Sequence, residues 1–152
     1  MSESPDMLLV EPATLLRRTV ALTARSMGLA NVHEAASHEM ALRLLKTQAF
    51  DGALIAIGDL RSDAGANAIA LLDQVRAGAT ASRASIPIAV MMEQVDASML
   101  AALRARRVTR VLVKPFKARN LIDTFSAFSD GECAAAPLSP FRDEDGEGAG
   151  PA

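Results

Sequence analysis

The stretch Phe50-Asp51-Gly52-Ala53-Leu54-Ile55-Ala56-Ile57 decides the fold. From Ala53 to Ile57 every position is apolar. A strand with one wet face alternates apolar and polar residues. A run apolar at both parities is buried on both faces, as strands of parallel sheets are. Parallel neighbours need long crossovers, usually helices, so amphipathic segments are expected on either side.

Working outward, short apolar runs do alternate with amphipathic segments. Met7 to Val10, before Glu11-Pro12, reads as a buried strand. Thr14 to Met27 reads as a helix with Leu16, Val20, Ala24 and Met27 on one stripe, Thr14 as its cap and Gly28 as its stop. Val32 to Ala35 is a second strand, and Ser37 caps a helix running to about Gln48 with Ala41, Leu44 and Leu45 on one face. Gly58 to Ala66 reads as a loop, and Ile69, Leu72 and Val75 mark a helix ending near Gly78. Ile86 to Met92 is the fourth strand, and Asp96 caps a helix through Leu100, Leu103 and Arg106. Val111 to Val113 is the fifth strand, and Leu121, Ile122, Phe125 and Phe128 mark a last helix. This is βα five times over, an α/β chain with a parallel sheet and helices on both faces.

Composition fits one ordinary globular domain. Of 152 residues 50% are hydrophobic and 22% charged, enough for one sizeable core. A net charge of -2 gives no global attraction to nucleic acid or membrane, so any basic site is a local patch. The single Cys133 excludes an internal disulfide and any multi-cysteine metal site. No run reaches the roughly 18 apolar residues of a membrane span. The first residues are acidic rather than basic, so no signal peptide is expected and the default location is cytoplasmic. Residues 1–6 read as an N-terminal arm and 7–129 as the domain. Residues 130–152, rich in Pro, Gly, Ala and acids, read as a flexible acidic tail.

Four segments together carry a family resemblance. They are Leu8-Leu9-Val10-Glu11 followed by a helix with Arg17-Arg18; Val32-His33-Glu34-Ala35; Phe50-Asp51 before the third strand; and Val108-Thr109-Arg110-Val111-Leu112-Val113-Lys114-Pro115-Phe116. In this order and spacing, residues 7 to about 128 resemble a single-domain response-regulator receiver of the chemotaxis-regulator type. The resemblance implies a flavodoxin-like (βα)5 receiver fold, doubly wound around a five-stranded parallel sheet.

The resemblance also implies a chemistry. A phosphorylatable receiver has a carboxylate nucleophile ending its third strand, acids that hold Mg²⁺ after its first, a hydroxyl ending its fourth, and a lysine after its fifth. At the matching positions stand Ala56, Glu11-Pro12, Met92 and Lys114. A methyl group accepts no phosphoryl group, proline offers no carboxylate, and methionine no hydroxyl. Mg²⁺ wants several oxygen ligands. The expectation is a degenerate pseudo-receiver that keeps Glu11, Lys114 and Pro115, is not phosphorylated and needs no cofactor or metal. A buried ammonium without a partner is costly, so Lys114 needs a partner or water, with Glu11 the candidate. The sharper alternative has Lys114 and Glu11 binding a small ligand, with Asp59 and Asp63 adding carboxylates.

Two surfaces are candidates for partners. Arg104, Arg106, Arg107, Arg110, Lys114, Lys117 and Arg119 cluster in sequence. The resemblance places most of them around the fourth helix, fifth strand and fifth helix, a common partner-binding face of receivers. Arg107 stands where the family usually has a small residue or glycine. From this cluster Arg104, Arg107, Arg110 and Lys117 are the contact candidates. Leu15, Arg17 and Arg18, on the first helix, are the second set, where the family docks helical phosphotransfer domains. His33 and His38 read as structural or surface residues, and Cys133 as incidental.

No Ser-His-Asp set, Gly-rich phosphate loop or metal cluster suggests an enzyme. The reading is a phosphorylation-independent adaptor in two-component signalling. It would bind a histidine kinase, a phosphotransfer protein or another regulator, with a homodimer left open. The alternative is an anion sensor, such as one for cyclic dinucleotides, using the arginine-rich face. Nucleic acid is disfavoured because no aromatic residue interleaves with the arginines to stack on a base.

Overall fold

Five βα units follow one another along the chain. β1 (Asp6–Val10) leads to α1 (Thr14–Ser26), β2 (Asn31–Ala35) to α2 (His38–Thr47), and β3 (Gly52–Ala56) to α3 (Asp63–Arg76). β4 (Ile88–Met92) leads to α4 (Ala97–Ala105), and β5 (Arg110–Val113) to α5 (Ala118–Ser129). A short sixth strand, β6 (Ser139–Phe141), completes the order. The structure, a computed structural model, describes residues 4–58, 63–129 and 139–141. All pairings are parallel, in the order β2-β1-β3-β4-β5-β6. This is the doubly wound, flavodoxin-like (βα)5 arrangement with one strand added at an edge.

Burial explains the apolar runs. β3 and β4 are buried at every position. Strand parity divides the core in two. Leu8, Val10, Ile55 and Val90 pack with Ala41 and Leu45 of α2, Leu72 and Val75 of α3, and Leu103 of α4. Met7, Leu9, Leu54 and Met91 pack with Val20 and Ala24 of α1 and Leu121 and Phe125 of α5. Gly52 opens β3 where Met7 Cε would lie 2.9 Å from an added Cβ, so a side chain there would crowd this second layer.

The helix caps are read correctly at two ends and not at a third. Ser37 accepts from Met40 N at 3.1 Å, and Asp96 Oδ1 from Met99 N at 2.8 Å. Thr14, however, is already helical. The cap of α1 is Ala13, which makes no side-chain cap bond. The Ala13 N–H instead donates to Glu11 Oε2 at 3.0 Å. Met27 also falls outside its expected stripe at 54% exposure, because α1 ends at Ser26 and Gly28 turns the chain at a φ of 66°.

Two segments depart from their expected class. α3 begins at Asp63, inside the stretch read as a loop. β6 arises within the stretch read as a tail, pairing Arg110↔Ser139, Val111↔Pro140 and Leu112↔Phe141, so the sheet has six strands rather than five. Its short Ser-Pro-Phe sequence gives no alternation to read, and proline is tolerated only at a sheet edge, where β6 lies. Asp59, Cys133 and the acids beyond Phe141 lie outside the described residues.

Candidate functional site

The strand order reverses between β1 and β3, the place where open α/β sheets keep their sites. There, at the carboxyl ends of the strands, a crevice of about 580 Å³ is lined by Glu11, Pro12, His38, Ala56, Glu93, Asp96, Lys114 and their neighbours. Glu11 follows β1 and is only 2% exposed. Its Oε1 accepts from Lys114 Nζ at 2.7 Å while its Oε2 takes the Ala13 N–H. Lys114 follows β5 and is fixed by its own N–H, which donates to the Met92 carbonyl at 2.7 Å. The lysine therefore has the partner that burial demanded, 103 positions away in sequence.

Ala56 ends β3 with its methyl at the crevice, 5% exposed. Its carbonyl oxygen lies 2.9 Å from His38 Nε2. A carbonyl only accepts, so that nitrogen carries the hydrogen. Met92 is 1% exposed and packs into the aliphatic layer with Val10 and Leu103, not into the crevice. Pro12 is exposed at the crevice wall.

This donor set does not fit the Mg²⁺ that the fold's phosphorylation chemistry would use. Both Glu11 oxygens are engaged, Ala56 and Pro12 bring no side-chain oxygen, and the Ala56 carbonyl is bonded to His38. Among the described residues no group of three His, Cys, Asp or Glu side chains could hold a metal ion. Nor does the crevice attract anions. With Glu11 and Lys114 neutralising each other, the remaining lining carboxylates are Glu93 and the capping Asp96. The Glu11–Lys114 pair is bound to itself rather than open to a ligand. Asp59 is outside the described residues, and the side chain of Asp63 is not described.

The basic cluster divides into two groups. Arg104, Arg106 and Arg107 lie at the start of β5, where α4 ends, and Lys114, Lys117 and Arg119 lie at its end. Four residues of parallel strand separate the groups by about 13 Å. At the first end Arg106 Nε donates to Asp73 Oδ1 at 2.8 Å. Arg76, which closes α3, donates to the carbonyls of Ala84, Ile86, Arg106 and Arg107. Its burial, and then the Arg107 charge, pull its pKa down to about 10. Arg107 itself adopts a φ of 58°, which explains why a glycine suits that position. Arg104 and Arg107 are exposed and Arg110 half-buried, so only part of the expected trio presents itself fully.

On α1 the balance also shifts. Arg17 is committed inside the chain: Nε donates to Glu34 Oε1 at 3.2 Å and Nη1 to the Glu11 carbonyl at 3.0 Å. Arg18 is exposed. Leu15 is 81% exposed, and Leu22, which the sequence did not single out, is 64% exposed. His38 and Arg76 were likewise not recognised as wall and brace. His38 had no companion ligand to mark it, and Arg76 looked like the polar end of a helix. Leu22 was legible, since it lies seven positions after Leu15, off the Leu16–Val20–Ala24 stripe.

No protein-family model matches the chain, and no curated protein matches it. Solved structures do. Chemotaxis response regulator CheY4 of Vibrio cholerae superposes with a TM-score of 0.69 at 22% identity, over 82% of this chain and 98% of that one. A CheY-like response regulator receiver domain protein from Methanospirillum hungatei JF-1 gives 0.70 at 18% identity, over 86% and 97%. The non-phosphorylated HemR receiver domain from Leptospira biflexa gives 0.69 at 20% identity, over 82% and 94%. The fold is that of response-regulator receiver domains. Among the described residues no helix is long and apolar enough to cross a membrane.

Proposed function

We propose, starting from a receiver fold whose phosphorylation positions hold a methyl, an imino and a thioether group, that this protein is a pseudo-receiver. It is a cytoplasmic adaptor that takes no phosphoryl group and signals by binding a histidine kinase, a phosphotransfer protein or another regulator. The observation that carries this reading is Ala56 at the carboxyl end of β3, beside a Glu11–Lys114 pair closed on itself. Leu15 and Leu22 support the choice of surface. Large apolar side chains this exposed are worth most when another protein covers them, and Arg18 flanks them with charge, while Arg25 is engaged with Glu34 and the Val32 carbonyl. Capture of purified two-component kinases and phosphotransfer proteins by the full chain tests the reading. Leu15→Glu with Leu22→Glu is expected to lose the captured protein without lowering the melting temperature. Arg104→Glu with Arg107→Glu serves as the comparison on the opposite candidate surface. Stoichiometric phosphorylation in the presence of Mg²⁺ and a phosphodonor, or capture indifferent to both pairs of substitutions, overturns it.

A further inference from the structure

At the amino end of the sheet, opposite the crevice, three pieces of chain meet: the end of α3, the connection into β4, and the turn from α4 into β5. One guanidinium ties them together. Arg76 donates to the carbonyls of Ala84, Ile86, Arg106 and Arg107 at 2.6 to 3.0 Å. Arg106 holds the Ala102 carbonyl at 2.9 Å and Asp73 Oδ1 at 2.8 Å. α4 ends here, and bare carbonyls at a helix end would repel an anion. Those of Ala102, Arg106 and Arg107 are taken by these two inner arginines.

Around them stand Arg83, Arg104 and Arg107, all exposed. Among the described residues none of the three has a carboxylate partner. Their backbones are neighbours. The Arg107 N–H donates to the Arg104 carbonyl at 2.9 Å, and Arg83 precedes Ala84, whose carbonyl shares the Arg76 guanidinium with that of Arg107. Arg107 stands close enough to Arg76 for its charge to add to the effect of burial on that group. Arg107 also holds a φ of 58°, a conformation suited to glycine, so the chain bears strain where it places this guanidinium.

The geometry points to a binding site, at the amino ends of β4 and β5, for a ligand carrying linked phosphoryl groups, gripped by Arg83, Arg104 and Arg107. Guanidinium forks match phosphate oxygens two at a time, and three forks spread over two connections suit a chain of phosphates better than a single one. An acidic protein surface fits less well. Interfaces are anchored by large apolar side chains, and the exposed ones, Leu15, Leu22, Met27 and Met40, lie on α1, its closing turn and α2. The chain has no Trp or Tyr, and none of its phenylalanines falls between residues 83 and 107. No ring is there to stack on a base, so the site reads the phosphates themselves.

The probe is sodium tripolyphosphate, titrated calorimetrically into the full chain at low salt, with orthophosphate and a hexaglutamate peptide as comparisons. Tripolyphosphate is expected to bind at least about 10-fold more tightly than either, and to weaken as salt is raised. Backbone amide shifts are expected to move at Arg83, Ala84, Arg104 and Arg107. Arg83→Gln with Arg104→Gln is expected to weaken binding at least about 10-fold without moving the melting temperature of the unliganded chain. Arg107→Gly, which relieves the strained φ, is expected to weaken binding while raising the melting temperature, so that loss does not come from unfolding. Arg18→Gln, a control on α1, is expected to bind as the unsubstituted chain does. Equal binding by all variants, shifts centred on Arg18 or Lys46 instead, or a hexaglutamate affinity equal to that of tripolyphosphate each overturn the inference. None of the three arginines belongs to α1, so failure here leaves the partner reading untouched, and failure of capture through Leu15 and Leu22 leaves this site untouched.

Discussion

Lys114 and Glu11 show how much one pair decides. Glu11 is almost fully buried and both its oxygens are used, so removing its cation leaves a charge without compensation. Lys114→Met is expected to lower stability by about 2–4 kcal/mol, and adding Glu11→Gln should recover much of that. Denaturant midpoints of the two singles and the double measure it as a coupling energy. Ala56→Asp tests the crevice from the other side. The new carboxylate finds Glu11 already bound to Lys114 and the Ala13 N–H, Asp96 capping α4, and no side-chain oxygen at Pro12 or Met92, so incubation with Mg²⁺ and a phosphodonor should leave the intact mass of this variant unchanged. Arg107 is held at a φ that costs a residue with a side chain about 1–2 kcal/mol, and Arg107→Gly is expected to stabilise the fold by about 1 kcal/mol. At this scale the sequence was legible where chemistry was missing or unbalanced. The absent carboxylate at Ala56 and the lysine in need of a partner both showed. The bond from His38 to the Ala56 carbonyl did not, because a histidine outside any ligand cluster carries no mark of what it touches.

Elements were legible as far as periodicity reached. Five strands and five helices follow the alternation of apolar runs and amphipathic stripes, because burial on both sheet faces writes itself into consecutive positions. Braces between elements write nothing. Arg76 joins the end of α3 to the entry of β4 and to the turn between α4 and β5 through four carbonyls. Arg76→Leu leaves those acceptors without their donor and is expected to cost about 2–4 kcal/mol, with Arg76→Lys intermediate because one ammonium cannot reproduce the fork. Thermal unfolding at neutral pH reads this. The folded pKa of Arg76 lies below its unfolded value, so the cost of burying its charge is present throughout neutral pH and eases only as pH rises through about 10.

For the whole molecule, β6 is the feature that sequence reading missed, since three residues with a central proline are too few for any period. It adds a parallel strand at the β5 edge, outside the five βα units. A chain ending at Ser129 is therefore expected to fold, with a melting temperature lower by a few degrees, equivalent to about 1 kcal/mol. Circular dichroism melts of the two lengths decide this. A final consequence comes from Leu15 and Leu22. They are one heptad apart, as are Arg18 and Arg25, and a heptad of helix spans about 10 Å. α1 thus displays a single period of a coiled-coil seam with the Arg18 cation alongside, Arg25 being engaged with Glu34 and the Val32 carbonyl. A helical partner that reads it is expected to carry the complementary period: two aliphatic residues seven positions apart with an acid placed to meet Arg18. The mate of this protein can therefore be sought by pattern in candidate sequences before any complex is isolated.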